Sequence, residues 1–303
     1  MKKGINNSLI KCLLILLLSI SGWKSGVAQK KDIFDKSNLL AWCIVPFDSE
    51  KRGPEERAKM LSELGIKKFA YDWRDEHVPQ FDEEWKALRK YGIELTAFWM
   101  MTGQEPEKDR YVQEILAFLK RNQIKTQLWL LVAETANFNE LSQEEKVKTL
   151  SKPIQYIAEK AKELGCEVAL YNHGGWFGEP ENQLEIIDFL KMKNIGIVYN
   201  FHHARFHHAR FKEFYPKMLP KLMALNIAGL KSDVTEHAFR VGQGDVEKDM
   251  LIQVWKSKYK GPIGILNHDT NEDAKKALID EMLGLEKVLK QMGNTKALNS
   301  YKQ

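Results

Sequence analysis

From residue 36 onward two hydrophobic rhythms alternate along the chain. Short apolar runs, rich in branched and aromatic side chains, fall at 39–47, 68–72, 94–99, 127–132, 167–171, 196–199, 224–230 and 264–266. Runs of this length bounded by polar residues predict buried strands. Between them lie stretches with helical spacing: 54–64, 81–91, 109–122, 142–164, 181–193, about 207–221, about 245–257 and a closing one at 271–290. Tyr111, Ile115, Phe118 and Leu119 show the three- and four-residue steps of an amphipathic helix. Gly65, Gly92 and Gly165 sit where helix C-caps belong.

Strict strand–helix alternation predicts parallel strands, since each helical crossover returns the chain to the same end of the sheet. Eight such units predict an α/β fold, a (β/α)8 TIM barrel in a single domain over residues 37–292. Residues 29–36 are a linker and 293–303 a tail. No Gly-x-Gly-x-x-Gly follows the first strand, and Gly242-Gln-Gly244 is too short to substitute, so no nucleotide cofactor is expected. One local repeat stands out, His-His-Ala-Arg-Phe at 202–206 and again at 207–211. The first copy is expected to end strand six and the second to open the next helix.

The first 28 residues follow different rules. Lys2, Lys3 and Lys11 precede an apolar run from Cys12 to Leu18, and small residues lead to Gly26-Val27-Ala28. These are the parts of a signal peptide cleaved near Ala28, which implies a periplasmic or secreted protein. The run is too short for a membrane span. Residues 1–28 carry four lysines and no acid, so their removal lowers the formal charge from +5 to +1. Without a basic surplus there is little to neutralise phosphates, and nucleic acid is not an expected partner. The composition, 44% hydrophobic and 29% charged, is that of an ordinary globular chain. Cys43 and Cys166 lie in apolar segments far apart in sequence and read as buried free thiols.

The eight histidines, at 77, 173, 202, 203, 207, 208, 237 and 268, all follow predicted strands. In a barrel those positions converge on the C-terminal rim, the face that carries catalysis. Asp72, Arg74, Trp99, Glu134, Asn172, Trp176, Asn200, Lys231 and Gln243 are expected on the same rim. Alternate residues of a strand share a face, which pairs Tyr171 with His173 and Gly229 with Lys231. Imidazole, carboxylate and ammonium groups in one cup move protons or bind a divalent metal. Aromatic rings such as Trp99 and Trp176 suit stacking on sugars. There is no Gly-x-Ser-x-Gly elbow and no Cys/His zinc spacing.

The segments Tyr171-Asn-His-Gly-Gly-Trp176, Ile197-Val-Tyr-Asn-Phe-His-His203, Gly229-Leu-Lys-Ser-Asp233 and Gly261-Pro-Ile-Gly-Ile-Leu-Asn-His268 resemble the xylose-isomerase-like barrel superfamily. That group includes sugar phosphate isomerases and epimerases, and the resemblance covers nearly all of the chain beyond residue 28. It implies an enzyme that removes a proton next to a carbonyl and stabilises the enediolate. It also implies a divalent metal such as Mn, Mg, Co or Zn. Here the pattern departs from typical members. Tyr171 stands where the fifth strand offers a ligand Glu, and Asn200 where the sixth offers Asp. Gly229 replaces a seventh-strand His, and Asn267 and His268 end the eighth strand. A rearranged metal set would be His173, His203, His268 and Glu134.

The resulting expectation is a lyase or hydratase acting on a 3-keto-sugar or 3-keto-glycoside. His173 or His203 would be the base, Lys231 or a cation the enolate stabiliser, and His268 the proton donor. Asp72, Arg74, Trp99, Glu134, Asn172, Trp176, Asn200, His202 and Gln243 would bind substrate. A sugar isomerase or epimerase and a non-catalytic sugar-binding barrel are the alternatives. The expected partner is a small sugar or glycoside, and assembly into a homo-oligomer is compatible with the sequence.

Overall fold

A computed structural model describes residues 1, 31–233 and 239–302. The signal-peptide reading of residues 1–28 and the position of His237 lie outside the described residues. The chain divides into two units, Met1–Lys31 and Asp32–Gln303, and the second holds the fold.

Eight parallel strands close into one barrel in sequential order. They are β1 (Leu39–Trp42), β2 (Lys68–Tyr71), β3 (Glu94–Thr102), β4 (Gln127–Val132), β5 (Glu167–Tyr171), β6 (Ile195–Asn200), β7 (Leu222–Asn226) and β8 (Ile263–Leu266). The helices that follow them in turn are α1 (Pro54–Leu64), α2 (Phe81–Lys90), α3 (Arg110–Asn122), α4 (Gln143–Leu164), α5 (Pro180–Leu190), α6 (Phe211–Met218), α7 (Glu247–Lys256) and α8 (Ala274–Met292). A short α9 (Thr295–Leu298) comes last. The fold is the expected single-domain TIM barrel, because each amphipathic helix buries its apolar stripe on the outer face of the strands. Among the described residues no helix is long and apolar enough to cross a membrane.

Local chemistry sets the boundaries. Ser142 and Glu145 form a capping box at the start of α4, and Asp109 accepts from Tyr111 N–H (2.9 Å) and Val112 N–H (3.3 Å) at the start of α3. Gly65 and Gly165 end α1 and α4 in the left-handed conformation, with φ of 75° and 72°.

Two strands stop well short of their predicted ends. β1 stops at Trp42 because Cys43 adopts a left-handed φ of 53°, so 43–47 is loop. β7 stops at Asn226 because Gly229 leaves the barrel and pairs antiparallel with Phe239, exchanging N–H···O bonds of 2.7 and 2.9 Å. Strand alternation therefore no longer governs Gly229 and Lys231. The five-residue repeat also sits differently: β6 ends at Asn200, both copies lie largely in 3₁₀ turns, and α6 opens only at Phe211.

The core has two parts. The larger lies between strands and helices. The smaller fills the barrel axis, where Ala70, Ala97, Ala169 and Ala224 leave room for the wholly buried Trp129. Trp42 meets Trp129 edge-on at 4.8 Å, and Tyr171 stacks parallel to Trp129 at 6.3 Å. An aromatic plug thus floors whatever lies above it.

Opposite that rim, residues 294–301 clasp the segment before β1. Tyr301 Oη donates to Phe34 O (2.9 Å), Asn294 Nδ2 to Asp32 Oδ1 (3.0 Å), and Lys36 N–H to Ser300 Oγ (2.9 Å).

Candidate active site

Above the plug, at the C-terminal ends of the strands, opens a cup of about 430 Å³. Trp42, Trp99 and Tyr171 form its floor, and Asp72, Arg74, His173, His203 and His268 are among its walls. A second basin of about 720 Å³ adjoins it, with His202, Arg240, Gln243 and Glu272 in its lining. The two linings share His173, His203 and His268.

Four histidines from three loops therefore meet. Ring centroids are 4.5 Å apart for His173–His203, 5.0 Å for His203–His202 and 4.3 Å for His202–His268. Asparagines at the strand ends hold them. Asn172 Oδ1 accepts from Asn200 N–H (2.7 Å) and its Nδ2 donates to Asn200 O (3.1 Å), which ties β5 to β6. Asn200 Nδ2 donates to Tyr171 Oη (2.7 Å) while its Oδ1 accepts from His202 N–H (2.9 Å). Asn267 Nδ2 donates to Phe47 O (2.7 Å), which seats the Phe47 ring on His268 at 4.2 Å. Arg74 lies over the other ring neighbour, Phe47, at 5.6 Å, and its Nη1 donates to the carbonyls of Asp72 and Trp73.

The His268 ring opens on solvent at the mouth, yet the groups crowded around it desolvate its charged form. That crowding, then electrostatic repulsion from the His173 and Arg74 side, lowers its pKa below the usual imidazole value. It rests neutral at pH 7. Asp72 behaves in the opposite sense. Burial raises its carboxyl to about 7 against the opposing pull of Arg74 and Arg57. Its Oδ1 accepts from Val45 N–H (3.3 Å), and Oδ2 is buried beside the Cys43 thiol. Burial and Asp72 push the Cys43 thiol well up, so it is not a thiolate nucleophile.

The other expected site residues stand elsewhere. Lys231 lies outside both linings, its ammonium over the Phe239 ring at 4.3 Å, because β7 ends five residues before it. Glu134 Oε1 accepts from Phe177 N–H (3.2 Å) and braces the loop after His173, where Gly174 and Gly175 turn with φ of 108° and 64°. Trp176 Nε1 donates to Gln143 Oε1 (2.9 Å) and its ring packs edge-on against Phe138. Asn172 is committed to the backbone of Asn200, Asn200 to His202 N–H and the Tyr171 hydroxyl, and both are buried. Among the remaining histidines, His77 lines a separate groove and His207 is buried against Glu179 at 3.1 Å. Several cup residues escaped the sequence reading: Cys43, Phe47 and Tyr111, and in the basin Arg240, Glu272 and Glu281. For Cys43 and Phe47 a usable signal was present, since each closely follows a strand.

The expected metal set is not assembled: among the described residues no three His, Cys, Asp or Glu side chains are grouped to hold a metal ion, and Glu134 is turned away to Phe177. Tyr171, in place of a ligand Glu, has its hydroxyl engaged by Asn200 and its ring in the aromatic floor.

Comparison with known proteins supports the architecture. The chain is similar in fold to the IOLI protein in a structure with a bound zinc atom (15% identity, 83% of this chain and 98% of that one, TM-score 0.65). It is similar to the probable 3-DHS dehydratase AsbF from Bacillus anthracis (14% identity, 82% and 98%, TM-score 0.62). It is also similar to the 3-keto-D-glucoside 4-epimerase YcjR from E. coli (16% identity, 83% and 98%, TM-score 0.61). A structure with magnesium is a further neighbour, at 14% identity, coverages of 89% and 99%, and TM-score 0.55. No curated protein matches the sequence. The model of one family, the xylose isomerase-like TIM barrel, matches residues 58–287, which is most of the barrel, and the chain belongs to that family.

Proposed function

We propose that this protein is an enzyme that abstracts a proton next to a ketone of an oxidised sugar, eliminating the aglycone from a 3-keto-glycoside or hydrating the product. The observation that carries this reading is the line of four imidazoles at the junction of two cavities, with the end member held neutral. Carbon-acid chemistry needs a neutral base, a second proton carrier and a charge beside the enolate oxygen. A neutral His268 fits the base better than the donor role its sequence position suggested. It takes the C2 proton; the C3 oxygen becomes an enolate beside Arg240, the fixed cation of the basin. The C1–O bond then breaks, and His173 or His203 protonates the departing oxygen, leaving a C1=C2 enone and a free aglycone. Water adds across that double bond to give the 3-keto-sugar. Protons return along the imidazoles, whose spacing suits relay. Two fold neighbours, named as an epimerase of a 3-keto-glucoside and a probable dehydratase, bear names of related chemistry.

The test is incubation of purified protein with 4-nitrophenyl 3-keto-β-glucoside. Release of nitrophenol that His268→Gln abolishes supports the reading. Solvent deuterium entering the sugar without cleavage would reassign the protein as an epimerase, and no reaction with or without added divalent metal would end the proposal. We also read residues 1–28 as an export signal. N-terminal sequencing of protein recovered from the periplasm or medium should then begin at Gln29.

A further inference from the structure

The two cavities that meet at the histidines are chemically unequal, and this bears on which half of a glycoside enters each. In the cup the rings of Trp73, Trp99, Tyr111 and Tyr171 are joined by Met101, an apolar side chain left 54% exposed at the mouth. Most polar groups there are sunk below the surface or already engaged, the exposed Asp75 by the Tyr111 hydroxyl. Asp72 Oδ2 and Thr102 Oγ1 are buried, the Asp109 carboxylate caps α3, and Arg74 Nη1 is held by two carbonyls. A sugar placed in the cup would find few partners for its hydroxyls. The basin is the reverse. Gln243, Asp269 and Glu272 face it, and Arg240 is braced by Asn267 (3.1 Å), Glu281 (3.2 Å) and Glu272. Each compartment falls within the size range of a small-molecule site.

We infer that the substrate is a glycoside with an aromatic aglycone. The aglycone occupies the aromatic cup, the sugar occupies the polar basin, and the bond that breaks lies between them at His173, His203 and His268. This deepens the elimination reading and rests on it for the position of the scissile bond. The binding half is testable without turnover.

Calorimetric titration of the full chain with two unoxidised probes, phenyl β-glucoside and methyl β-glucoside, separates the compartments. Burying a phenyl ring in the cup should give the phenyl compound an advantage of about tenfold or more in Kd. Met101→Gln, on an exposed side chain, should reduce that advantage roughly threefold and leave methyl glucoside unchanged. Gln243→Ala should weaken both probes alike. Equal affinities, binding of neither probe, or an equal effect of Met101→Gln on both would overturn the inference. If phenyl selectivity is found but the keto-glycoside is not cleaved, the assignment of the two compartments survives and the elimination chemistry fails. If cleavage is found without phenyl selectivity, the outcome is the opposite.

Discussion

At the scale of single residues, the site turns on groups whose protonation is set by surroundings rather than by type. His268 is a base only when neutral. Its pKa lies below the usual imidazole value of about 6.5, so the acidic limb of a kcat/KM profile should fall below that pH, with a plateau through neutrality. His268→Gln should remove that limb and lower kcat by roughly 10²–10⁴-fold, as read by aglycone release. Asp72 gives a stability signature of opposite kind. Its folded pKa of about 7 lies above that of an unfolded Asp, so the folded state holds the proton more tightly. Stability from this group is complete at low pH and is lost as pH rises toward and through about 7. Asp72→Asn should flatten the fall in melting temperature between acid and neutral pH, and an unchanged slope would contradict the assignment. The sequence placed the histidines on the rim because rim position follows from chain order alone. It could not separate Asn172 and Asn200 from substrate-binding groups. Their roles depend on what the neighbouring strand brings within reach, the backbone of Asn200 for Asn172 and the Tyr171 hydroxyl for Asn200, and this is a matter of register between segments far apart in the chain.

At the scale of elements, strand and helix positions were legible because each has one buried face, and burial imposes a period on the sequence. The misreadings cluster at strand C-termini. An apolar run such as 224–230 looks continuous, yet its later residues are buried outside the barrel strand, where Gly229 pairs with Phe239. Lys231 was lost from the site by that one error. The start of α3 shows an element and the cup sharing a residue. Asp109 caps the helix and thereby sets Tyr111, whose ring packs on Trp73 at 5.2 Å. Asp109→Ala should cost about 1 kcal/mol in urea unfolding and weaken phenyl glucoside binding. Ser142→Ala at the start of α4, remote from the cup, should show a similar stability loss with binding unchanged.

At the scale of the whole molecule, stability and chemistry occupy opposite ends of the barrel. The clasp between residues 294–301 and the segment before β1 closes the end away from the histidines. Deleting residues 294–303 should lower the melting temperature by about 5 °C or more, the loss of a few kcal/mol in a domain this size. Per-molecule activity at low temperature should be preserved; a matching loss of kcat would show that the two ends are coupled. The aromatic plug has a practical consequence of another kind. Three indoles stand at the base of the cup, with Trp42 6.3 Å from Trp99 and 4.8 Å from Trp129. Any guest that displaces water from the cup changes the polarity felt by the uppermost of them. The barrel thus contains its own emission gauge, one by which occupancy could be followed without dye or label.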